Sequence, residues 1–258
     1  MGKMLINRII IVIALCGFTT TGFSQEQAFG LEEKSGAYLP DSVWILNEDS
    51  VPFLLDDIIT RPTLLTFVYY HCSAQCPAML EGIAELINLT HAEIGTDYQV
   101  LTISIDHHET PGEAAKAKNK YFDLLNRKIN PMSWRFLTAD SADIRILTSA
   151  VGWEFRSDGE HFVHPTASVL ITPDKMVSQY FYGTYFNYMH FAMSVEKAAN
   201  EEIVPTRVKT LKYCYNYKPA DNILLQRVVI IYGTGIVLVI VAFFLILVIK
   251  RKKNTKSS

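Results

Sequence analysis

The sequence is poor in cysteine. Four occur in 258 residues, at positions 16, 72, 76 and 214. Cys16 falls in an N-terminal apolar stretch expected to be removed, which leaves three, a poor count for a disulfide framework. A chosen pair with one further thiol fits a reactive or metal-binding site better. An excess of charge is also missing. Twenty-four Lys and Arg stand against 26 Asp and Glu, a net charge of −2, which gives no basis for nucleic acid as a partner. No internal repeat or low-complexity tract is present, so a repeat array is excluded. Between Val228 and Ile249 charged side chains are absent altogether.

That last absence has a direct reading. The run is apolar apart from Tyr232, Gly233, Thr234 and Gly235, and a bilayer takes about 20 residues to cross. Lys250, Arg251, Lys252, Lys253 and Lys256 follow it, which places the tail in the cytoplasm. At the other end, Lys3 and Arg8 precede the apolar stretch Ile9 to Phe18, and small residues Gly22 and Ser24 follow. This is the layout of a signal peptide, with cleavage expected after Ser24. Leu15, before Cys16, is too bulky for a lipoprotein site. The expected product is a single-pass protein of the cell inner membrane, with its domain on the periplasmic side and its C-terminus in the cytoplasm. The predicted boundaries are a signal peptide over 1–24, a polar linker over 25–38 and a folded domain over 39–204. A juxtamembrane segment containing Cys214 follows over 205–227, then a membrane helix over 228–249 and a basic tail over 250–258.

The domain is organised around Leu64 to Pro77, LLTFVYYHCSAQCP. Its first half is apolar and β-branched, as a buried central strand requires. Cys72 and Cys76 come next. An amphipathic helix is predicted after them, because Met79, Leu80, Ile83, Leu86 and Ile87 recur at helical spacing. Pro77 suits its first turn. The thiols are therefore expected between a core strand and a helix N-terminus, where backbone N–H groups and the helix dipole favour thiolate. Two sulfurs at this spacing can share a metal ion or close a disulfide. Strand, cysteine turn and helix in this order resemble the thioredoxin pattern, with three residues between the cysteines instead of two.

The remaining elements follow from local signals. Short strands are predicted at Val43 to Leu46 and Val51 to Leu54, joined through Asn47-Glu48-Asp49-Ser50. Gln99 to Ile105 reads as a second core strand ending at Asp106-His107-His108-Glu109. Thr110-Pro111-Gly112-Glu113 has the form of a capping box opening a helix through Leu125. A strand is predicted at Trp134 to Leu137, then a helix capped by Asp140 or Ser141. Thr166 to Thr172 and Val177 to Tyr182 form a hairpin around Pro173-Asp174-Lys175, and Met189 to Ala199 is a last helix. Parallel crossovers followed by a late antiparallel hairpin predict an α/β fold, a mixed sheet flanked by helices.

Three stretches together resemble the Sco/SenC family, the membrane-anchored, thioredoxin-like copper chaperones of cytochrome c oxidase assembly. FVYYHCSAQCP resembles the family's copper-site loop. TISIDHHETPGEAAKA resembles its strand ending in Asp and the helix after it. HFVHPTASVLITPDKMVSQYFYG resembles its His-bearing segment and hairpin. The similarity runs from about Leu39 to Ala199. It implies Cys72 and Cys76 as thiolate ligands of copper, His164 as the imidazole ligand and Asp106 as an acidic residue near the site. It also implies the copper-bearing subunit of cytochrome c oxidase as partner. The family usually has Pro after the first cysteine, Asp before the second and an acidic residue before the His; here Ser73, Gln75 and Val163 stand there. Pro165, directly after the His, is similar in place to the cis-proline that faces the thiols of thioredoxins.

The donor set suits that chemistry. Cu(I) favours thiolate and Cu(II) accepts imidazole, so Cys, Cys and His together accommodate both. Structural zinc normally takes four protein ligands, and only three converge here. The alternative function is a thiol–disulfide reductase, Cys72 and Cys76 being its redox-active pair, served by a thioredoxin-like reductant and acting on the oxidase's copper-binding cysteines. His71 is expected on the opposite strand face from Cys72. His107 and His108 are surface residues with a second metal contact open to them. His91, His161 and His190 are ordinary surface or helix-end positions. Cys214 reads either as part of an aromatic membrane-interface cluster or as a third thiol.

Overall fold

The computed structural model describes residues 30–158, 161–206, 213–214 and 232–236. The expected signal peptide over 1–24 lies outside the described residues. So does most of the expected membrane helix over 228–249, of which only 232–236 are described, as helix. Among the described residues no helix is long and apolar enough to cross a membrane. The chain divides into a unit ending at Tyr215 and a unit from Asn216 onward.

The described residues of the first unit form ten strands and five helices. A small hairpin, β1 (Trp44–Leu46) and β2 (Pro52–Leu54), leads into one helical turn, α1 (Leu55–Ile58). Then come β3 (Thr63–Val68), α2 (Gln75–Leu89), β4 (Gln99–Ser104), α3 (Pro111–Phe122), β5 (Trp134–Leu137) and α4 (Ser141–Ala150). The chain continues through β6 (Arg156–Asp158), β7 (His161–Pro165), β8 (Ala167–Ile171), β9 (Val177–Tyr182), α5 (Tyr188–Ala199) and β10 (Tyr213–Cys214).

The main sheet has five strands in the order β5-β4-β3-β8-β9. β3, β4 and β5 are parallel, while β8 runs antiparallel to β3 and to β9. Every residue of β3 and β4 is buried, as a strand covered on both faces must be. The mixed sheet expected from the crossover pattern is present. Polar groups inside it pair with one another: Thr66 Oγ1 and Ser168 Oγ are 2.8 Å apart, and the Trp134 indole donates to Thr102 Oγ1 at 3.0 Å.

Local chemistry sets the helix starts. Asp140 caps α4, its carboxylate accepting from Ala142 N and Asp143 N at 2.8 and 2.9 Å. Glu113 reaches back to accept from Thr110 N at 2.6 Å, the reciprocal half of a capping box. α3 stops at Phe122, short of the expected Leu125. Beyond it Leu124 N and Leu125 N bond to carbonyls three residues back, so the chain tightens into turns. Gly82 lets α2 seat closely: a Cβ there would lie 2.0 Å from the Thr184 carbonyl oxygen.

Two regions depart from expectation. Residues 30–38, read as part of a linker, are docked. Glu32 N donates to Gly152 O, Gly36 N to Val177 O and Leu39 N to Lys175 O, each at 2.9 Å. β9 is an edge strand, whose rim needs covering, and this segment pairs with its first residue, Val177, and with Lys175 just before it. The second departure is β6 and β7, absent from the sequence-based order. With β10 they form a separate three-stranded sheet in the order β10-β7-β6.

Candidate metal centre

The cysteine side of the site is built by the end of β3. Strand pairing stops at Val68, and Cys72 N bonds to Tyr69 O at 3.1 Å, turning the chain toward α2. Ala74 N donates to Cys72 Sγ at 3.3 Å. Because α2 starts at Gln75, Cys76 lies inside its first turn, where backbone N–H groups lack intrahelical acceptors. Both cysteines are buried, with exposures of 7% and 2%.

One buried carboxylate holds this loop in place. Glu109 is 6% exposed. It accepts from Tyr70 N at 2.7 Å, His71 N at 2.8 Å and Ser104 Oγ at 2.6 Å. Its Oε1 is also 2.9 Å from His71 Nδ1. Hydrogen bonds to a charged acceptor contribute about 1.5–3 kcal/mol each, so the residue directly before Cys72 is firmly tethered. Tyr70 extends the same anchorage, its hydroxyl donating to Leu137 O at 2.8 Å. Burial first, and the neighbouring Glu109 charge second, push that phenol well above its ordinary pKa. In the sequence Glu109 reads only as the end of a turn. Its role depends on Tyr70 and His71, which lie far away in the chain.

His164 comes from the other side, on β7. It is 3% exposed. Its ring stacks on Trp153, centroids 5.2 Å apart, and meets the edge of Tyr69 at 6.2 Å. Nδ1 is 2.9 Å from Pro165 O. A carbonyl only accepts, so Nδ1 carries the proton and Nε2 presents its lone pair. That Nε2 lies 3.5 Å from Cys76 Sγ. The fold thus brings an imidazole 88 residues away in sequence against the second cysteine. Gln75, standing where the Sco/SenC resemblance would put Asp, accepts from Thr166 Oγ1 at 2.9 Å and ties the two sides together.

Other expected positions fall elsewhere. β3 does not persist to His71, so the strand-face argument for it fails. Its side chain is 66% exposed and lies between Glu109 and Glu113, at 2.9 and 3.2 Å. Pro165 is not a cis-proline: no cis peptide bond occurs among the described residues. Asp106 stabilises its own turn, accepting from His108 N at 2.9 Å. His91 is exposed, and His190 lies 3.4 Å from Gln179 Nε2. Cys214, expected between domain and membrane, stands on β10 at the register position opposite His164. One local signal for the β6–β7 hairpin was available, Asp158-Gly159 between short alternating segments.

The profile of the SCO1/SenC family matches residues 43–200, more than half of the chain. The chain belongs to the SCO1/SenC family. No curated relative matches it. Among solved structures, a protein of Aquifex aeolicus VF5, provisionally described as an electron-transfer protein, is 25% identical with a TM-score of 0.58. It covers 65% of this chain and 95% of its own. BsSco, described through a disulfide switch and as one of the Sco family of cytochrome c oxidase assembly proteins, is 20% identical with a TM-score of 0.53. The coverage is 66% of this chain and 98% of that one. Arabidopsis thaliana ScoI, solved with copper bound, is 17% identical with a TM-score of 0.51, covering 65% and 98%. The last two likenesses establish the fold of this SCO1/SenC chain, a thioredoxin-like mixed sheet flanked by helices.

Proposed function

We propose that this protein takes up copper at Cys72, Cys76 and His164 and delivers it to the binuclear copper site of a cytochrome c oxidase. The observation that carries the reading is the 3.5 Å approach of His164 Nε2 to Cys76 Sγ, with Nδ1 committed to Pro165 O. Such an arrangement turns the Nε2 lone pair toward a thiol. The donors are chemically matched to the cargo: thiolates for Cu(I), imidazole for Cu(II). Trp153 stacks on the ring, and Pro165 O accepts from Nδ1, the kind of carbonyl partner that orients a ligating histidine. Arabidopsis ScoI, with the same fold, is a copper-bound protein, which supports the assignment. In this reading residues 1–24 direct export, 39–204 form the copper-handling domain, and 228–249 anchor it so that the domain faces the periplasm. The oxidase's copper-bearing subunit is the partner.

A second reading rests on the buried cysteine pair at the start of α2 and on the disulfide switch described for BsSco. Here one thiolate attacks a disulfide between the oxidase's copper-binding cysteines, and the other resolves the mixed disulfide. The target leaves as a dithiol, Cys72–Cys76 becomes the disulfide, and a thioredoxin-like dithiol restores it.

Titrating the reduced full chain with Cu(I) and with Cu(II), alongside His164→Ala, separates the two. The chaperone reading expects stoichiometric Cu(I) binding in both. It also expects a thiolate-to-Cu(II) charge-transfer band that disappears in the variant. Weak binding of both ions, indifferent to His164, with disulfide exchange at equal rates in the two proteins, would favour the reductase.

A further inference from the structure

The turn after β4 carries a second set of ligating side chains, used by neither function above. Asp106, His107 and His108 each offer one donor atom, and the three atoms lie within 4.8 Å of one another. The imidazole centroids are 3.9 Å apart. Both histidines are exposed. The backbone beneath them is fixed from inside the protein. Asp106 N donates to Ser104 Oγ at 3.0 Å, and Ser104 Oγ donates to buried Glu109 at 2.6 Å. Glu109 N closes the turn on Asp106 O at 3.1 Å, and Asp106 Oδ1 accepts from His108 N at 2.9 Å.

We propose that Asp106, His107 and His108 form a second, open metal site that takes a borderline divalent cation, Cu(II) in particular. The donor set has two imidazole nitrogens and a carboxylate oxygen, with no sulfur. It therefore favours Cu(II), Ni(II) or Zn(II) over Cu(I) on one side and over Mg(II) or Ca(II) on the other. Ligands bound at about 2.0–2.1 Å sit roughly 3–4 Å from one another. Small rotations of exposed rings bring the present atoms into that range. The three side chains line a cavity of about 380 Å³ whose far wall includes Arg145, Arg156, Phe155 and Phe162. The guanidinium groups oppose a bare dication and favour one that carries an anionic ligand, such as chloride or carboxylate, in the cavity. The two sites thus differ in donor chemistry, sulfur-rich and buried against nitrogen–oxygen and open.

The test is Cu(II) stoichiometry in the full chain, unaltered and as His107→Gln/His108→Gln. The expected result is a difference of one equivalent between them, whatever the thiol site binds. Nitrogen superhyperfine lines from two imidazoles should be present in the paramagnetic spectrum of Cys72→Ser/Cys76→Ser/His164→Ala and absent when His107→Gln/His108→Gln is added. In the otherwise unaltered chain, the thiolate-to-copper band should remain in His107→Gln/His108→Gln. Equal stoichiometry in the unaltered and doubly substituted chains would overturn the site, and so would an unchanged nitrogen signal. Loss of the charge-transfer band in His107→Gln/His108→Gln would overturn it too, because the missing equivalent would then be the thiol-bound ion. Absence of the band from the unaltered chain, with the one-equivalent difference intact, would instead count against the thiol site.

Discussion

The two sides of the candidate centre are held in different ways. Cys72 and Cys76 leave the innermost strand of the main sheet, and their loop is tied to Glu109 by backbone hydrogen bonds. His164 belongs to a separate small sheet and is positioned by aromatic surfaces, helped by the bond from Nδ1 to the neighbouring carbonyl. The first arrangement is polar and directional; the second is apolar and depends on packing. One side can be disturbed by removing a charge, the other by removing volume.

The largest effect is expected from Trp153→Ala. Trp153 is fully buried, contacts Phe67 and Phe155 as well as His164, and donates to Ala167 O at 3.3 Å. Truncating such a residue costs about 3–5 kcal/mol. Chemical denaturation should show that loss, and Cu(II) affinity should fall further than Cu(I) affinity, because the imidazole loses its support while the thiols keep theirs. Glu109→Ala should act on the opposite side. Leaving buried backbone donors unsatisfied costs about 1–3 kcal/mol for each group, so a drop of roughly 3 kcal/mol is expected. Alkylation of Cys72 should accelerate, with the tryptophan fluorescence around His164 little changed. If both variants altered thiol reactivity equally, the two sides would not be independent.

The smallest effect concerns acid. Glu113 carries a depressed pKa, chiefly through the Thr110 N–H, helped by the Thr110 hydroxyl and by His71. Its folded pKa lies below the usual 4.5. Its contribution is therefore complete above that value and is lost as pH falls through the folded pKa. The melting temperature of Glu113→Gln should trail the unaltered chain at pH 6 and converge with it at low pH. A constant gap across that range would show that the carboxylate's charge is not what caps α3.

Much of this was legible because it is local. β3 and β4 declare themselves through uninterrupted apolar and β-branched residues. Asp140 and the Thr110–Glu113 pair mark helix starts whose chemistry is complete within four residues. The antiparallel hairpin of β8 and β9 follows from the turn at Pro173-Asp174-Lys175, where Lys175 takes a φ of 72°. Non-local features were not legible. Nothing in Arg156 to Pro165 shows that the segment pairs away from the main sheet, and α1 is too short to give a periodic pattern. Glu109 shows none of the hydrophobic neighbours that usually announce burial. The partners of residues 30–38 lie more than a hundred positions downstream, so composition alone made that segment resemble a tether. His164 was reached through resemblance, and the physical reason for its place, the stack on Trp153, needed the folded chain.

The docked segment bears on how the domain can be trimmed. A fragment cut at the family profile's limits, residues 43 and 200, would discard Gly36, Ala37 and Leu39, which pair with Lys175 and Val177, and Val204, whose N–H meets Ser178 O at 3.0 Å. The rim of the sheet would then offer bare amides and carbonyls to any neighbouring chain. Fibrous or dimeric behaviour of such a fragment would be a product of the scissors, not a property of the protein.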